Sequence, residues 1–157
     1  MAIEINDIAP DFELESTDGS LFKLSEMVAK GPVLLNFYVG DFGINCTNYM
    51  NVFGERIEEL TDLGLTMVGI NNDSMDSHQG FKRALGLKWE LLHDKDKNVA
   101  KSFEAIVGPG HMVTGFTNRE FYLIGKDMKV AYTWKAGIPK DLPVFDEVLN
   151  GIKEALQ

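Results

Sequence analysis

Apolar residues in this chain fall into runs and stripes of two periods. Val33-Leu-Leu-Asn-Phe-Tyr38 is a nearly unbroken apolar run, which predicts a strand buried on both faces. The run breaks at Gly40-Asp41 and Gly43. Met50, Phe53, Ile57 and Leu60 then follow at spacings of three, four and three, the period of a helix, which closes near Gly64. Leu65–Ile70 predicts a second apolar strand, with Asn71-Asn-Asp-Ser74 as a polar loop at its end. Ser77–Leu85 predicts a helix stopped by Gly86, and Trp89–Leu92 a third strand. After the turn His93–Lys97, Asn98 is expected to cap a helix through Ile106. A loop opens at Gly108-Pro-Gly110 and runs to about Asn118.

Arg119–Ile124 reads as a strand, Gly125–Lys129 as a turn, and Val130–Trp134 as a strand pairing back antiparallel. Asp141 is expected to cap a last helix with Pro143 in its first turn, and Val144, Val148, Ile152 and Leu156 form its apolar stripe. At the other end, Phe12–Thr17 alternates, Asp18-Gly19 is a hairpin turn signal and Leu21–Leu24 returns. Ser25 is expected to cap a short helix through Val28, ended by Gly31-Pro32.

Strands alternating with helices predict an α/β fold with a mixed, mostly parallel central sheet flanked by helices. The N-terminal β-hairpin is expected to lie outside that core unit. Residues 1–157 are expected to form a single domain. A helix that starts just after the first core strand, with a cysteine in its first turn, is a thioredoxin-like arrangement. There is no internal repeat, low-complexity tract or linker.

A net charge of −9 argues against nucleic acid or an anionic membrane as the main partner. No apolar run approaches the roughly 20 residues of a membrane helix. The first residues, MAIEINDIAPDF, have neither the basic nor the apolar segment of a signal peptide. One cysteine forms no internal disulfide, and a reducing, cytoplasmic setting is expected.

That cysteine, Cys46, is the candidate for chemistry. Helix N-termini carry unpaired N–H groups and partial positive charge, which favour an anion, and the thiolate is the nucleophilic form. The competing reading is a buried, inert cysteine. His78, His93 and His111 lie in separate segments without ligand spacing, so no metal is expected, and no motif calls for a cofactor. His78 reads as a residue that caps or packs near a helix start, and Asn71, Asn72 and Asp73 read as turn formers. Taken alone, Arg119 reads as a solvated charge at a strand end. Asp41-Phe42-Gly43 spells a kinase metal triplet without the other kinase motifs.

Five stretches, in order, resemble the peroxiredoxin family over nearly the whole chain. Ile8–Leu14 resembles its opening APDF segment. Phe37-Tyr38, Asp41-Phe42 and Cys46-Thr47 resemble its active-site stretch. Val68–Ser74 with Ser77-His78 and Phe81, then Leu91-Leu92, Asp94 and Val99-Ala100, resemble the two segments that follow. Arg119 with Phe121 and Ile124 resembles the arginine-led strand that completes the family's site. The resemblance implies a thioredoxin-like fold. It also implies a peroxidatic role for Cys46, with Arg119 as the fixed cation.

The family's PxxxTxxC pattern is incomplete here. Its proline falls at Val39, its threonine at Gly43, and the acidic residue often found three after the cysteine at Tyr49. The threonine hydroxyl hydrogen-bonds the peroxide and the sulfur. A charge-assisted bond of that kind is worth about 1.5–3 kcal/mol, or roughly 10- to 150-fold in rate. Asn45 or Thr47 is a candidate stand-in. Asn51 stands where some members carry a resolving cysteine. Any cycle is therefore of the one-cysteine type.

The resemblance thus implies a thiol peroxidase acting on hydrogen peroxide or organic hydroperoxides through a Cys46 sulfenic acid. Regeneration falls to an external thiol or thioredoxin-like reductant. The alternative is a peroxiredoxin-like protein with lost or weak activity, used for redox sensing, binding or scaffolding. A homo-oligomer, dimer or larger, is also expected, with Phe42, Tyr49 and Phe53 as its apolar patch.

Overall fold

The computed structural model describes residues 2–157. Seven strands form one sheet: β1 (Glu13–Ser16), β2 (Leu21–Lys23), β3 (Val33–Phe37), β4 (Thr66–Asn71), β5 (Glu90–His93), β6 (Glu120–Ile124) and β7 (Val130–Lys135). Their spatial order is β2-β1-β5-β4-β3-β6-β7. The helices are α1 (Leu24–Val28), α2 (Ile44–Glu55), α3 (Ile57–Thr61), α4 (Met75–Leu85), α5 (Asn98–Ser102) and α6 (Phe145–Ala155). This is the expected mixed α/β, thioredoxin-like architecture.

Parallel pairing is confined to β5-β4-β3, and the pairs on either side are antiparallel. The sheet is therefore less parallel than the alternation of elements predicts. The N-terminal hairpin also differs from expectation, since it joins the sheet. Glu15 and Ser16 of β1 pair with His93 and Leu92 of β5. Thr17 secures the join: its Oγ1 donates to Glu90 Oε2 at 2.6 Å and accepts the Leu91 N–H at 3.0 Å.

β3 is buried along its whole length, so both of its faces carry core. Leu34 packs in the cluster containing Met50, Phe53, Phe81 and Val148. Val33, Leu35 and Phe37 pack in the cluster on the other face, with Val28, Ala100 and Phe103. Period-2 alternation of side chains across the sheet produces this division.

The predicted helix through Leu60 is two helices. Its apolar spacing survives, but Arg56, at φ −120° and ψ 14°, breaks it between α2 and α3. Arg56 is fixed there by Glu59 at 2.6 Å, by Asp146 of α6 at 2.8 Å, and by the Phe145 ring 4.3 Å from its guanidinium. Three predicted caps also move. Ser25 lies inside α1, its N–H bonded to Asp11 Oδ1. Asn98 lies inside α5, where the Asp94 carboxylate accepts the Val99 and Ala100 N–H groups, both at 2.9 Å. Asp141 closes a turn over Gly137 and Ile138, and α6 begins only at Phe145.

Candidate active site

β3 pairs antiparallel with β6 so that Phe37 lies opposite Glu120. Arg119 therefore sits at the end of β3 from which the chain leaves toward α2. That connection contains Gly40, Gly43 and Phe42. The φ of 61° at Phe42 is uncommon for a residue with a side chain, and its ring packs against Phe81 at a centroid distance of 5.2 Å.

Gly43, at φ −66° and ψ 143°, is the N-cap of α2 and supplies no side-chain acceptor. The first helical bond runs from the Thr47 N–H to the Gly43 carbonyl at 2.8 Å. The N–H groups of Ile44, Asn45 and Cys46 precede that bond, at the place where a helix lacks internal acceptors. Cys46 is the third residue of α2, in its first turn as the spacing predicts, and is 1% exposed.

Arg119 is not a solvated strand-end charge. It is 5% exposed, and one guanidinium nitrogen donates to the Pro139 carbonyl. Its Nε is buried without a protein acceptor, a donor left available to an oxygen ligand. Cys46 and Arg119 line one cavity of about 450 Å³ with Val39, Gly43, Asn45 and Phe116. A second hollow of about 370 Å³ shares Val39, Asn45 and Arg119 and adds the apolar side chains Met112, Val113 and Ile138.

Of the sequence candidates, Cys46, Arg119, Gly43 and Asn45 thus converge. Thr47 lines neither hollow. Gly43 does not require glycine by conformation. A Cβ placed there meets only the Gly40 carbonyl, at 3.7 Å. The expected apolar patch separates: Phe42 is exposed, whereas Tyr49 and Phe53 are in the core.

Tyr49, expected in the apolar patch of an oligomer, is instead a buried neighbour of Cys46. Its hydroxyl donates to Asn36 Oδ1 at 3.2 Å. Burial pushes the phenol well above its ordinary pKa, and Cys46 adds to that effect. The Asn36 hydrogen bond and Arg119 oppose it. The phenol is therefore neutral.

Asp41 and Asp73 also border the cavity. Asp41 accepts hydrogen bonds from the Tyr38 hydroxyl at 2.6 Å and the Ser77 hydroxyl at 2.7 Å. Its N–H donates to Asp73 Oδ2 at 2.6 Å. Asp73 keeps the turn-forming role read from the sequence, its N–H donating to Asn71 Oδ1 at 2.8 Å. His78 is buried, with Nδ1 2.7 Å from Asp41 Oδ2. His93 Nδ1 lies 2.7 Å from the Asp73 carbonyl. Among the described residues no group of three or more His, Cys, Asp or Glu side chains could hold a metal ion.

A sequence model of the AhpC/TSA family matches residues 5–133. Peroxiredoxin Bcp of Bacillus subtilis is 29% identical over 143 residues, 90% of each chain. The structure of PrxQ from Xylella fastidiosa superposes with a TM-score of 0.88 at 22% identity, covering 100% of this chain and 99% of that one. The bacterioferritin comigratory protein of Xanthomonas campestris, described for its alkyl peroxide reduction activity, gives a TM-score of 0.83 at 21% identity over 99% and 98% of the two chains. The structural likenesses establish a common fold, and the family match goes further: the chain belongs to the AhpC/TSA family, the peroxiredoxins.

Proposed function

We propose that this protein is a one-cysteine thiol peroxidase. The observation that carries the reading is the convergence of Cys46, the uncapped first turn of α2 and Arg119 on one cavity. The Cys46 thiolate attacks one peroxide oxygen and the O–O bond breaks. Sulfur is oxidised to the sulfenic acid, and the second oxygen leaves with a proton as water or an alcohol. Negative charge grows on that leaving oxygen. The Arg119 guanidinium and the first-turn N–H groups are fixed donors for it, and both Cys46 and Arg119 are largely buried. Asn45 is the side chain placed to supply part of what the missing threonine hydroxyl would give, because it lines the cavity and Thr47 does not.

The sulfenic acid of the only cysteine condenses with an external thiol, releasing water. A second thiol then displaces Cys46 and leaves as a disulfide. The thiols come from a small molecule or a thioredoxin-like protein in a reducing compartment, the cytoplasm. The apolar hollow beside Arg119 supports organic hydroperoxides as substrates alongside hydrogen peroxide. Self-association belongs to the same reading, with exposed Phe42, Ile44 and Phe116 beside the cavity as its apolar contacts. The test is peroxide consumption with dithiothreitol as reductant, using hydrogen peroxide and cumene hydroperoxide. Turnover that disappears in Cys46→Ser supports the proposal. Absence of turnover with both peroxides contradicts it.

A further inference from the structure

His78 lies on α4 and is fully buried, yet it is bound at both ring nitrogens. Nε2 is 3.0 Å from the Leu92 carbonyl and Nδ1 is 2.7 Å from Asp41 Oδ2. A carbonyl only accepts, so Nε2 carries a proton. A carboxylate also only accepts, so one further proton lies between Nδ1 and Oδ2, whichever atom holds it. The Asp41 side chain is 1% exposed, so water does not compete for this bond.

Asp41 sits in the middle of the connection that carries the chain from β3 to Cys46. Apart from the Phe42 ring against Phe81 of α4, that connection has little to fix it. It has two glycines, a left-handed Phe42 and a helix start without a side-chain cap. Asp41 compensates with four bonds, from Tyr38, Ser77 and His78 to its carboxylate and from its own N–H to Asp73. Burial and the Asp41 charge raise the Tyr38 phenol well above its ordinary pKa, so that hydroxyl stays a donor. Two of the three side-chain donors, Ser77 and His78, come from α4. The loop is thereby tied to a separate helix, rather than only to its own strand.

We propose that His78 is a positioning residue for the reaction of Cys46. Through Asp41 it holds residues 39–43, and with them the Gly43 carbonyl that starts α2 and the first-turn N–H groups. The inference rests on the peroxidase reading above. Misplacement of reacting groups by about 1 Å costs on the order of 100-fold in rate, so loosening this tie is expected to appear in the chemistry.

Two amide substitutions separate the two ring bonds. The side-chain nitrogen of His78→Asn falls near Nδ1 and keeps the Asp41 bond. That of His78→Gln falls near Nε2 and keeps the Leu92 bond. The readouts are the rate of Cys46 oxidation by hydrogen peroxide, hydrogen exchange of residues 39–47, and thermal stability. His78→Gln is expected to slow oxidation ~10-fold or more and to lose exchange protection in that segment. His78→Asn is expected to recover the rate to within about threefold.

If His78→Gln does not fold, Asp41→Ala cuts the same tie from the loop side and is expected to give the same slowing. If both fold, the double variant is expected to be no slower than the slower single one, because the two residues act as one unit. Rates that follow thermal stability alone, with Asn and Gln equally affected, overturn the proposal. So do unchanged rates in His78→Gln. A wild-type chain that does not react with peroxide overturns the peroxidase reading itself, which is a different result from a reactive wild type with an indifferent His78.

Discussion

The Tyr49 hydroxyl donates a 3.2 Å hydrogen bond to Oδ1 of Asn36, and both residues are buried. Tyr49 is three residues after Cys46 on α2, so it lies on the same side of the helix. Asn36 is the one polar residue in β3, and its Nδ2 donates to the Phe37 carbonyl at 3.2 Å. The position three after the cysteine is thus filled by a neutral phenol that satisfies a core asparagine. Tyr49→Phe removes the donor and leaves Asn36 Oδ1 unpaired. The expected cost is about 1–3 kcal/mol, read as a lower urea midpoint with unchanged slope. A midpoint equal to that of wild type would show that the bond contributes nothing.

Gly43→Thr restores a hydroxyl beside Cys46. The backbone is compatible with a side chain, and the nearest atom to its Cβ is an ordinary 3.7 Å away. Threonine is also a good N-cap, so α2 should not lose stability. Peroxide oxidation of Cys46 is expected to accelerate, with a ceiling of roughly 150-fold set by one charge-assisted bond. A slower variant with intact fold would mean that Asn45 already fills the role and that the new side chain blocks it.

Arg119→Met removes the buried cation while keeping a long apolar stem. Oxidation is expected to slow by roughly 10- to 150-fold, as measured by stopped flow under single-turnover conditions. Arg119→Lys is expected to recover only part of this, since an ammonium cannot reproduce the planar fork that reaches both the Pro139 carbonyl and a ligand oxygen. Full rates in Arg119→Met would remove the guanidinium from the mechanism.

Glu120 provides a pH test of stability separate from the chemistry. Burial raises its pKa, against the opposing hydrogen bonds from Tyr122 and Asn118. The folded state therefore holds the Glu120 proton more tightly than the unfolded state does. This contribution is fully present below the unfolded value and is lost as pH rises through the raised folded value. Glu120→Gln removes that titration. Its urea midpoint relative to wild type is expected to rise between pH 4 and pH 7. A difference independent of pH would contradict the assigned cause.

The sheet strands were legible because each is an apolar run or alternation bounded by turn residues. Helix starts were less so. Asp141 and Asn98 are good capping residues by type, but Asp141 is used by the turn over Gly137 and Ile138, and a carboxylate earlier in the chain, Asp94, caps α5. Local propensity does not reveal which nearby N–H groups a side chain will reach. In the site, Cys46 was legible from the strand–loop–helix pattern. Arg119 was legible only through family resemblance, because its placement depends on β3 pairing with β6, a contact between distant parts of the chain. The tie from His78 to Asp41 joins α4 to the β3–α2 connection across the same kind of distance. No spacing in the sequence encodes it.

A Cys46 thiol that reduces peroxide passes through a sulfenic acid. The most direct measurement is the mass of the intact reduced protein after a brief pulse of equimolar hydrogen peroxide, with dimedone present to trap sulfenic acid. One dimedone adduct per chain is expected, located at Cys46, absent in Cys46→Ser and diminished in Arg119→Met. A wild-type chain that stays reduced and unmodified in excess peroxide would contradict peroxide reduction by Cys46.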